Sequence, residues 1–139
     1  MNTGYSCDVA NNFDALPAAM AGLSRWLEEQ SVAPAASYLA SLALEELVTN
    51  CIKYGYDDTA AHVIQIHLQL AGGEMIMTVE DDGHPFNPLE QAEPDTNLPI
   101  EERPIGGLGI HMLRKMSDRM EYVRENGKNR VTLHKILNP

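Results

Sequence analysis

A helix-forming segment, Leu42-Ala-Leu-Glu-Glu-Leu-Val-Thr-Asn50-Cys-Ile-Lys-Tyr54, contains no helix-breaking residue before Gly55. At about 100° per residue, one face of this helix carries the apolar side chains of Ala40, Leu44, Leu47, Val48 and Cys51. The opposite face carries Glu46, Thr49, Asn50 and Lys53. Because Glu46 and Asn50 lie one turn apart, their side chains can reach a common point and hold a hydrated cation and a phosphate chain. An ordinary amphipathic helix with a solvated polar face has the same pattern, so the other segments must decide between the two.

Length and composition set the class of protein. The 139 residues predict a single domain, 1–139, that is long enough to bury its own core, and 44% hydrophobic with 22% charged residues is typical of a soluble globular protein. No apolar run has the length of a membrane span, and the N-terminus lacks the pattern of a secretory signal. The two cysteines, Cys7 and Cys51, have no metal-site spacing. We therefore expect a cytoplasmic protein with reduced thiols and no membrane contact.

The formal net charge of −10 limits the partners. Nucleic acids and anionic membranes attract positive surfaces, so we expect neither as a direct partner. A polyanionic ligand would have to be held locally, by backbone N–H groups and a cation.

Two further helices flank the central one. Apolar residues recur at helical spacing as far as about Glu29, and we expect Asp14 to cap this helix and Pro17 to lie in its first turn. The central helix follows a break at 30–34 and covers about 35–54. A third helix opens at Gly106-Gly-Leu-Gly109 and ends near Asp118.

Strict alternation of apolar and polar residues predicts the strands. One covers 64–70 and another 75–81, joined by a hairpin turn at Gly72-Gly73, and the second ends with Asp81 on its inner face. Strands at 119–125 and 130–136 are joined by a turn at Asn126-Gly127-Lys128, and residues 5–13 form a short edge strand. We predict an α/β (α+β) fold, a two-layer α/β sandwich in which helices cover one face of a mostly antiparallel sheet.

The segment from 84 to 106 has no hydrophobic period and contains five prolines. A loop of more than about 15 residues in a compact domain is uncommon and is usually functional or disordered. We expect a mobile lid, although a plain surface insertion has the same composition.

Three segments have the chemistry of one site. Glycines at a helix N-terminus can adopt positive φ and let the backbone N–H groups approach a phosphate closely. A buried carboxylate at Asp81 can accept a hydrogen bond from an exocyclic amine such as that of adenine. The Asn50 amide oxygen suits Mg²⁺, and Glu46 can accept a proton from a hydroxyl or water.

The ordered set Glu46-x-x-x-Asn50, Asp81-x-Gly83-x-Pro85-Phe86-x-Pro88 and Gly106-Gly-x-Gly-Ile110 closely resembles the histidine-kinase-like (GHKL) ATPase superfamily. Within it, the chain is similar to the stand-alone anti-sigma-factor serine kinases of bacterial partner-switching systems, from about Asp14 to Leu137. Each motif alone is common, whereas their order and separation together are specific.

The resemblance implies a histidine-kinase-like fold that holds ATP and Mg²⁺ between the sheet, the helices and the lid. It implies that Glu46 is the catalytic base, that Asn50 binds Mg²⁺, and that Asp81 binds the adenine amine beside Gly83. The implied ATP-binding set is Asn50, Asp81, Gly83, Pro85, Gly106, Gly107, Leu108, Gly109 and Ile110.

The sequence departs from the family in one place. A Gly-Thr pair often precedes the last strand, but here the segment is Gly127-Lys-Asn-Arg130. The hydroxyl contact is either missing or replaced by Asn129 or Thr132, and we assign no ligand role there. The five histidines are scattered, and we interpret them as surface or packing residues.

By resemblance, the leading functional prediction is an ATP-dependent serine/threonine kinase that phosphorylates a small anti-sigma-antagonist protein, binds a sigma factor and forms a homodimer. The alternative is an ATP-binding regulatory module that switches partners without phosphotransfer. A third interpretation, the catalytic domain of a sensor histidine kinase, is weaker because no phosphoacceptor helix or sensor precedes it.

Overall fold

The computed structural model describes residues 3–90 and 107–137. These two ranges contain five strands and three helices, together with short 3₁₀ turns at Phe13–Ala15 and Pro88–Glu90. The strands are β1 Thr3–Ala10, β2 Val63–Ala71, β3 Glu74–Asp81, β4 Arg119–Glu125 and β5 Lys128–Ile136. The helices are α1 Leu16–Glu29, α2 Pro34–Tyr54 and α3 Gly107–Met116.

The strands form one sheet in the order β1-β2-β3-β5-β4, and every neighbouring pair is antiparallel. The register of β3 against β5 places Asp81 opposite Asn129. Alternate residues of β2 and β3 are buried, so one face of the sheet carries the core. The predicted two-layer α/β sandwich is confirmed.

The core lies between this face and α2. Leu44 in the middle of α2 is fully buried, as are Leu39 and Val48, and they belong to one cluster with Ile66 of β2 and Met77 of β3. Each buried aliphatic side chain contributes about 1.5–3 kcal/mol through the hydrophobic effect. This packing fixes the orientation of α2, whose polar face carries Glu46 and Asn50.

The two hairpin turns are as predicted. Gly72 and Gly73 have φ values of 61° and 76°, and Asn126 and Gly127 have φ values of 55° and 75°. Positive φ at both central residues is the requirement of a type I′ turn, which matches the twist of the flanking strands.

Several helix ends differ from the prediction. Asp14 does not cap α1, because the Asn12 side chain accepts the Ala15 N–H and caps the 3₁₀ turn that precedes the helix. Pro34 begins α2 instead of ending the break before it, since proline needs no N–H partner in a first turn. The helix α3 ends at Met116, two residues before Asp118.

The predicted lid is described only at its start, from His84 to Glu90. Residues 91–106, and with them Gly106, lie outside the described residues, so the lid stays a prediction, as does the single-domain organisation. Within the two described ranges, no helix combines the length and the apolar character needed to cross a membrane.

Candidate functional site

A cavity of about 130 Å³ opens at the C-terminal end of α2, beside the end of β3, the start of β5 and the residues that follow β3. It is lined by Leu47, Asn50, Cys51, Tyr54, Gly55, Val79, Asp81, His84, Pro85, Phe86, Pro88, Asn129 and Val131. Tyr54 and Phe86 are largely exposed aromatic side chains. The cavity therefore combines apolar walls with a few polar groups, as small-molecule sites do.

The Asp81 carboxylate is the buried acid of this cavity. Its Oδ1 accepts hydrogen bonds from the Gly83 N–H at 2.9 Å and from the Asn129 amide at 3.0 Å. Its Oδ2 accepts from the Cys51 thiol at 3.3 Å. Burial and the neighbouring Asp81 charge both raise the pKa of Cys51, so the thiol stays protonated and donates. Because sulfur is a weak donor, Oδ2 keeps acceptor capacity for a ligand.

Cys51 lies partly outside its predicted environment. The helical pattern placed it on the buried face of α2, and it does pack against the core, but it also lines the cavity. At this end of α2 the cavity is lined by both the helix and the sheet, and Cys51 still contacts Asp81 of β3.

Position 83 requires glycine, because the surrounding atoms leave no room for a side chain. A Cβ added there would lie 2.5 Å from the Gly55 carbonyl oxygen and 3.0 Å from Asp81 Oδ1. The His84 N–H donates to the same Gly55 oxygen at 2.8 Å. The chain after β3 is thus held against the end of α2, and a side chain at position 83 would force these two backbones apart.

Glu46 is a residue of α2 whose side chain contacts the first turn of α3, and it does not line the cavity. It is half-buried, and a Cβ built at Gly109 would overlap its carboxyl group. Burial is the main cause that raises the pKa of Glu46, Glu45 adds to the rise, and Lys53 opposes it. A carboxylate with a raised pKa is a stronger proton acceptor at neutral pH.

The site therefore has two ends, which α2 connects. Asn50 lines the cavity and Glu46 lies one helical turn earlier, against the N-terminus of α3. The first N–H groups of a helix have no partner within it, and the helix dipole is positive there, so this end suits a phosphate.

The predicted ATP-binding residues at the start of α3 differ in exposure and in backbone conformation. Leu108 is half-exposed, whereas Ile110 is buried in the core, so the side chain of Ile110 packs and does not reach a ligand. The expected positive φ is wrong for Gly109, which is absent from the described glycines with positive φ, Gly72, Gly73 and Gly127. Gly109 instead provides the space that Glu46 occupies.

The described residues contain no group of three or more His, Cys, Asp or Glu that could hold a metal ion. Asn50 supplies one amide oxygen, and Mg²⁺ commonly takes few protein ligands and completes its shell with water and phosphate oxygens. The donor set therefore fits a metal ion that arrives with a nucleotide.

From the sequence, Asn129 was one of two residues that could replace the missing hydroxyl contact, and no role was assigned to it. Its side chain is buried, and it contacts both Asp81 and the residues that follow β3. Only the pairing of β3 with β5, which sets Asp81 opposite Asn129, could have indicated this role.

Comparison with known proteins identifies the family of this chain. The chain belongs to the histidine kinase-like ATPase domain family, which it matches over residues 9–135. This result confirms the predicted superfamily, whose members are ATPases.

Individual relatives narrow the similarity. The chain is 29% identical over 97 residues to the anti-sigma F factor of Clostridium perfringens (strain SM101), covering 69% of each protein. It is 31% identical over 99 residues to the anti-sigma F factor of Clostridium novyi, covering 68% of this chain and 67% of that one. It is 25% identical over 98 residues to the serine/threonine-protein kinase BtrW of Bordetella bronchiseptica, covering 69% and 68%.

A solved structure with the same fold contains the RsbU and RsbW domains of a Mycobacterium tuberculosis protein. The TM-score is 0.70 at 19% identity, and the match covers 97% of this chain. The chain spans 32% of the length of that structure, so the likeness concerns the fold of one part of it.

Proposed function

We propose that this chain is an ATP-dependent serine/threonine protein kinase and anti-sigma factor that phosphorylates a small anti-sigma-antagonist protein. The observation that carries the proposal is the position of Glu46: a half-buried carboxylate of raised pKa lies against the first turn of α3, one helical turn from Asn50. The names of the relatives, anti-sigma F factor and serine/threonine-protein kinase, support the same function.

In this proposal the adenine occupies the cavity. Asp81 Oδ2 accepts a hydrogen bond from the adenine amine, and the aromatic rings of Tyr54 and Phe86 contact the base. The phosphates extend towards α3, where the backbone N–H groups of Gly107, Leu108 and Gly109 bind them, with Gly106 before the helix. Asn50 would hold the Mg²⁺, which would neutralise phosphate charge.

The transfer step uses Glu46 as the base. A serine or threonine oxygen of the antagonist attacks the γ-phosphorus, and its proton passes to the Glu46 carboxylate. The bond from the γ-phosphorus to the β,γ-bridging oxygen breaks, and ADP leaves with that electron pair. Positioning and charge stabilisation supply most of the acceleration in such reactions, and a base orients the hydroxyl.

The antagonist would compete with a sigma factor for binding to this protein, and the protein would act as a homodimer. Both proposals go further than the names of the relatives. Competition binding experiments test the first, and a measurement of the oligomeric state tests the second. The second candidate function is an ATP-binding module that switches partners without phosphotransfer. It remains open because a half-buried Glu46 also fits a purely structural contact with Gly109.

Labelled ATP incubated with candidate antagonist domains from the same genome separates these two functions. Glu46→Gln keeps the shape of the side chain and removes the base, so phosphotransfer should fall about 100-fold or more while MgATP affinity stays similar. Glu28→Gln is the matched control, because it removes the same charge from an exposed position on α1 and leaves the charges next to Glu46 unchanged. A wild-type protein that binds ATP and its partners yet labels no antagonist would establish the binding module instead.

A further inference from the structure

Asn129 makes four hydrogen bonds from a buried position, and only 3% of its surface is exposed. Its Nδ2 donates to Asp81 Oδ1 at 3.0 Å and to the His84 carbonyl at 2.7 Å. Its Oδ1 accepts from the Phe86 N–H at 3.2 Å and from the Tyr122 hydroxyl at 2.5 Å. Every hydrogen-bonding site of one amide group is therefore used to join β5, β4, β3 and the segment after β3.

The orientation of this amide follows from its backbone partners. The Phe86 N–H can only donate and the His84 carbonyl can only accept, so the oxygen of Asn129 must face Phe86 and its nitrogen must face His84. The nitrogen is then also the group that faces Asp81. Asn129 therefore donates to the carboxylate.

This donation determines which carboxylate oxygen is available. Within residues 3–90 and 107–137, Oδ1 of Asp81 accepts from the Asn129 amide and the Gly83 N–H, whereas Oδ2 accepts only from the Cys51 thiol. Two N–H donors on one oxygen fix the rotation of the carboxyl group. The other oxygen is left as the acceptor in the cavity.

The same amide fixes the backbone that borders the cavity. Residues 83–86 are held by Arg124 Nη1, which donates to the Gly83 carbonyl at 2.8 Å, and by the His84 N–H, which donates to the Gly55 carbonyl at 2.8 Å. Asn129 adds the bonds to the His84 carbonyl and the Phe86 N–H. Loss of this side chain would leave both of these backbone groups without their protein partner.

We propose that Asn129 is the positioning residue that sets base preference in this site, because it orients the Asp81 carboxylate and anchors residues 84–86 at the cavity edge. The proposal rests on the ATP site described under the proposed function. It gives the amide of Asn129 a role that the sequence alone did not assign, and the expected ligand is a purine nucleotide with an amine at the six position of the base.

Direct binding of ATP and of GTP to the full chain tests this role without any phosphotransfer partner. Asn129→Ala should lower the ratio of ATP affinity to GTP affinity about tenfold, the size expected for one lost, well-placed hydrogen bond. Amide hydrogen exchange of residues 84–90 in the nucleotide-free protein should become faster. Tyr122→Phe is the matched control: it removes one bond to Asn129 but keeps both bonds of Nδ2, so the affinity ratio should stay within about twofold.

Asn129→Ser provides a second variant if the alanine variant does not fold, and the same fall in the ratio is expected because the amide is again absent. An unchanged ratio in a folded Asn129 variant whose melting temperature has fallen would show a structural role only and would overturn the inference. That result leaves the proposed function intact. A wild-type protein that binds no ATP would overturn the proposed function and this inference with it.

Discussion

Replacing Asp81 with asparagine tests the base-binding end of the site. The substitution keeps the shape of the side chain, so the Gly83 N–H and the Asn129 amide still find an acceptor oxygen at the Oδ1 position. At the Oδ2 position, however, an NH₂ group replaces the acceptor. It would face both the Cys51 sulfur and the adenine amine, and two donors would then oppose each other.

The size of the effect follows from these contacts. A hydrogen bond to a charged group contributes about 1.5–3 kcal/mol, and each 1.4 kcal/mol is about tenfold in affinity. We therefore expect Asp81→Asn to weaken ATP binding about 10- to 100-fold. GTP presents a carbonyl oxygen where ATP presents the amine, so GTP should lose little or gain, and the preference for ATP should narrow by a similar factor.

Competition between ATP and GTP, measured for the wild type and the variant, is the assay. Asp82→Asn is the matched control, since it removes the same charge from the next residue, which is exposed and does not line the cavity. Equal affinity of the wild type for ATP and GTP would refute the reasoning. An equal effect of Asp82→Asn would show that net charge, and not the placed acceptor, controls binding.

Three further results are expected. Gly109→Ala should push the Glu46 carboxyl group away and lower phosphotransfer about tenfold, while the free energy of unfolding, measured in urea, changes by less than about 1 kcal/mol because alanine favours a helix. The hydrogen bond to Asp58 raises the pKa of His62 above 6.5. The stability that this contact contributes is therefore fully present below pH 6.5 and is lost as the pH rises through the raised pKa. His62→Gln should lower the melting temperature more at about pH 5.5 than at about pH 8.5. Asn50→Ala should weaken ATP binding in the presence of Mg²⁺ and have little effect when a chelator removes the metal, as titrations under both conditions would show.

The sequence predicted the elements whose signal is local. The alternation in β2 and β3 and the 3.6-residue period of α2 come from residues that are neighbours in the chain, and the hairpin turns need positive φ at Gly72, Gly73 and Gly127. The cap of α1 was predicted wrongly because Asn12 and Asp14 have equivalent capping chemistry. The 3₁₀ turn between them decides which one is used, and that turn has no strong sequence pattern.

The candidate site was predictable only in part, because its contacts join distant segments. The hydrogen bond between Asn129 and Asp81 joins residues 48 positions apart, and it exists only through the pairing of β3 with β5. Motif comparison predicted a role for Asp81 because its type matches the family. It named Asn129 only as an alternative to Thr132 and gave it no role, because this position departs from the family pattern and its contacts depend on the strand register.

The glycines show the same difference between local pattern and packing. In the turns, Gly72 and Gly73 have positive φ and open space around them, so a side chain there would strain the backbone without meeting another atom. At the site, Gly83 and Gly109 lack positive φ, but an added Cβ would meet the Gly55 backbone or the Glu46 carboxyl group. A substitution at Gly109 would therefore change where the proposed base lies before it changes stability. The turn glycines are therefore required by backbone conformation, whereas Gly83 is required by the packing of the chain after β3 against Gly55, and Gly109 by the packing of α2 against α3.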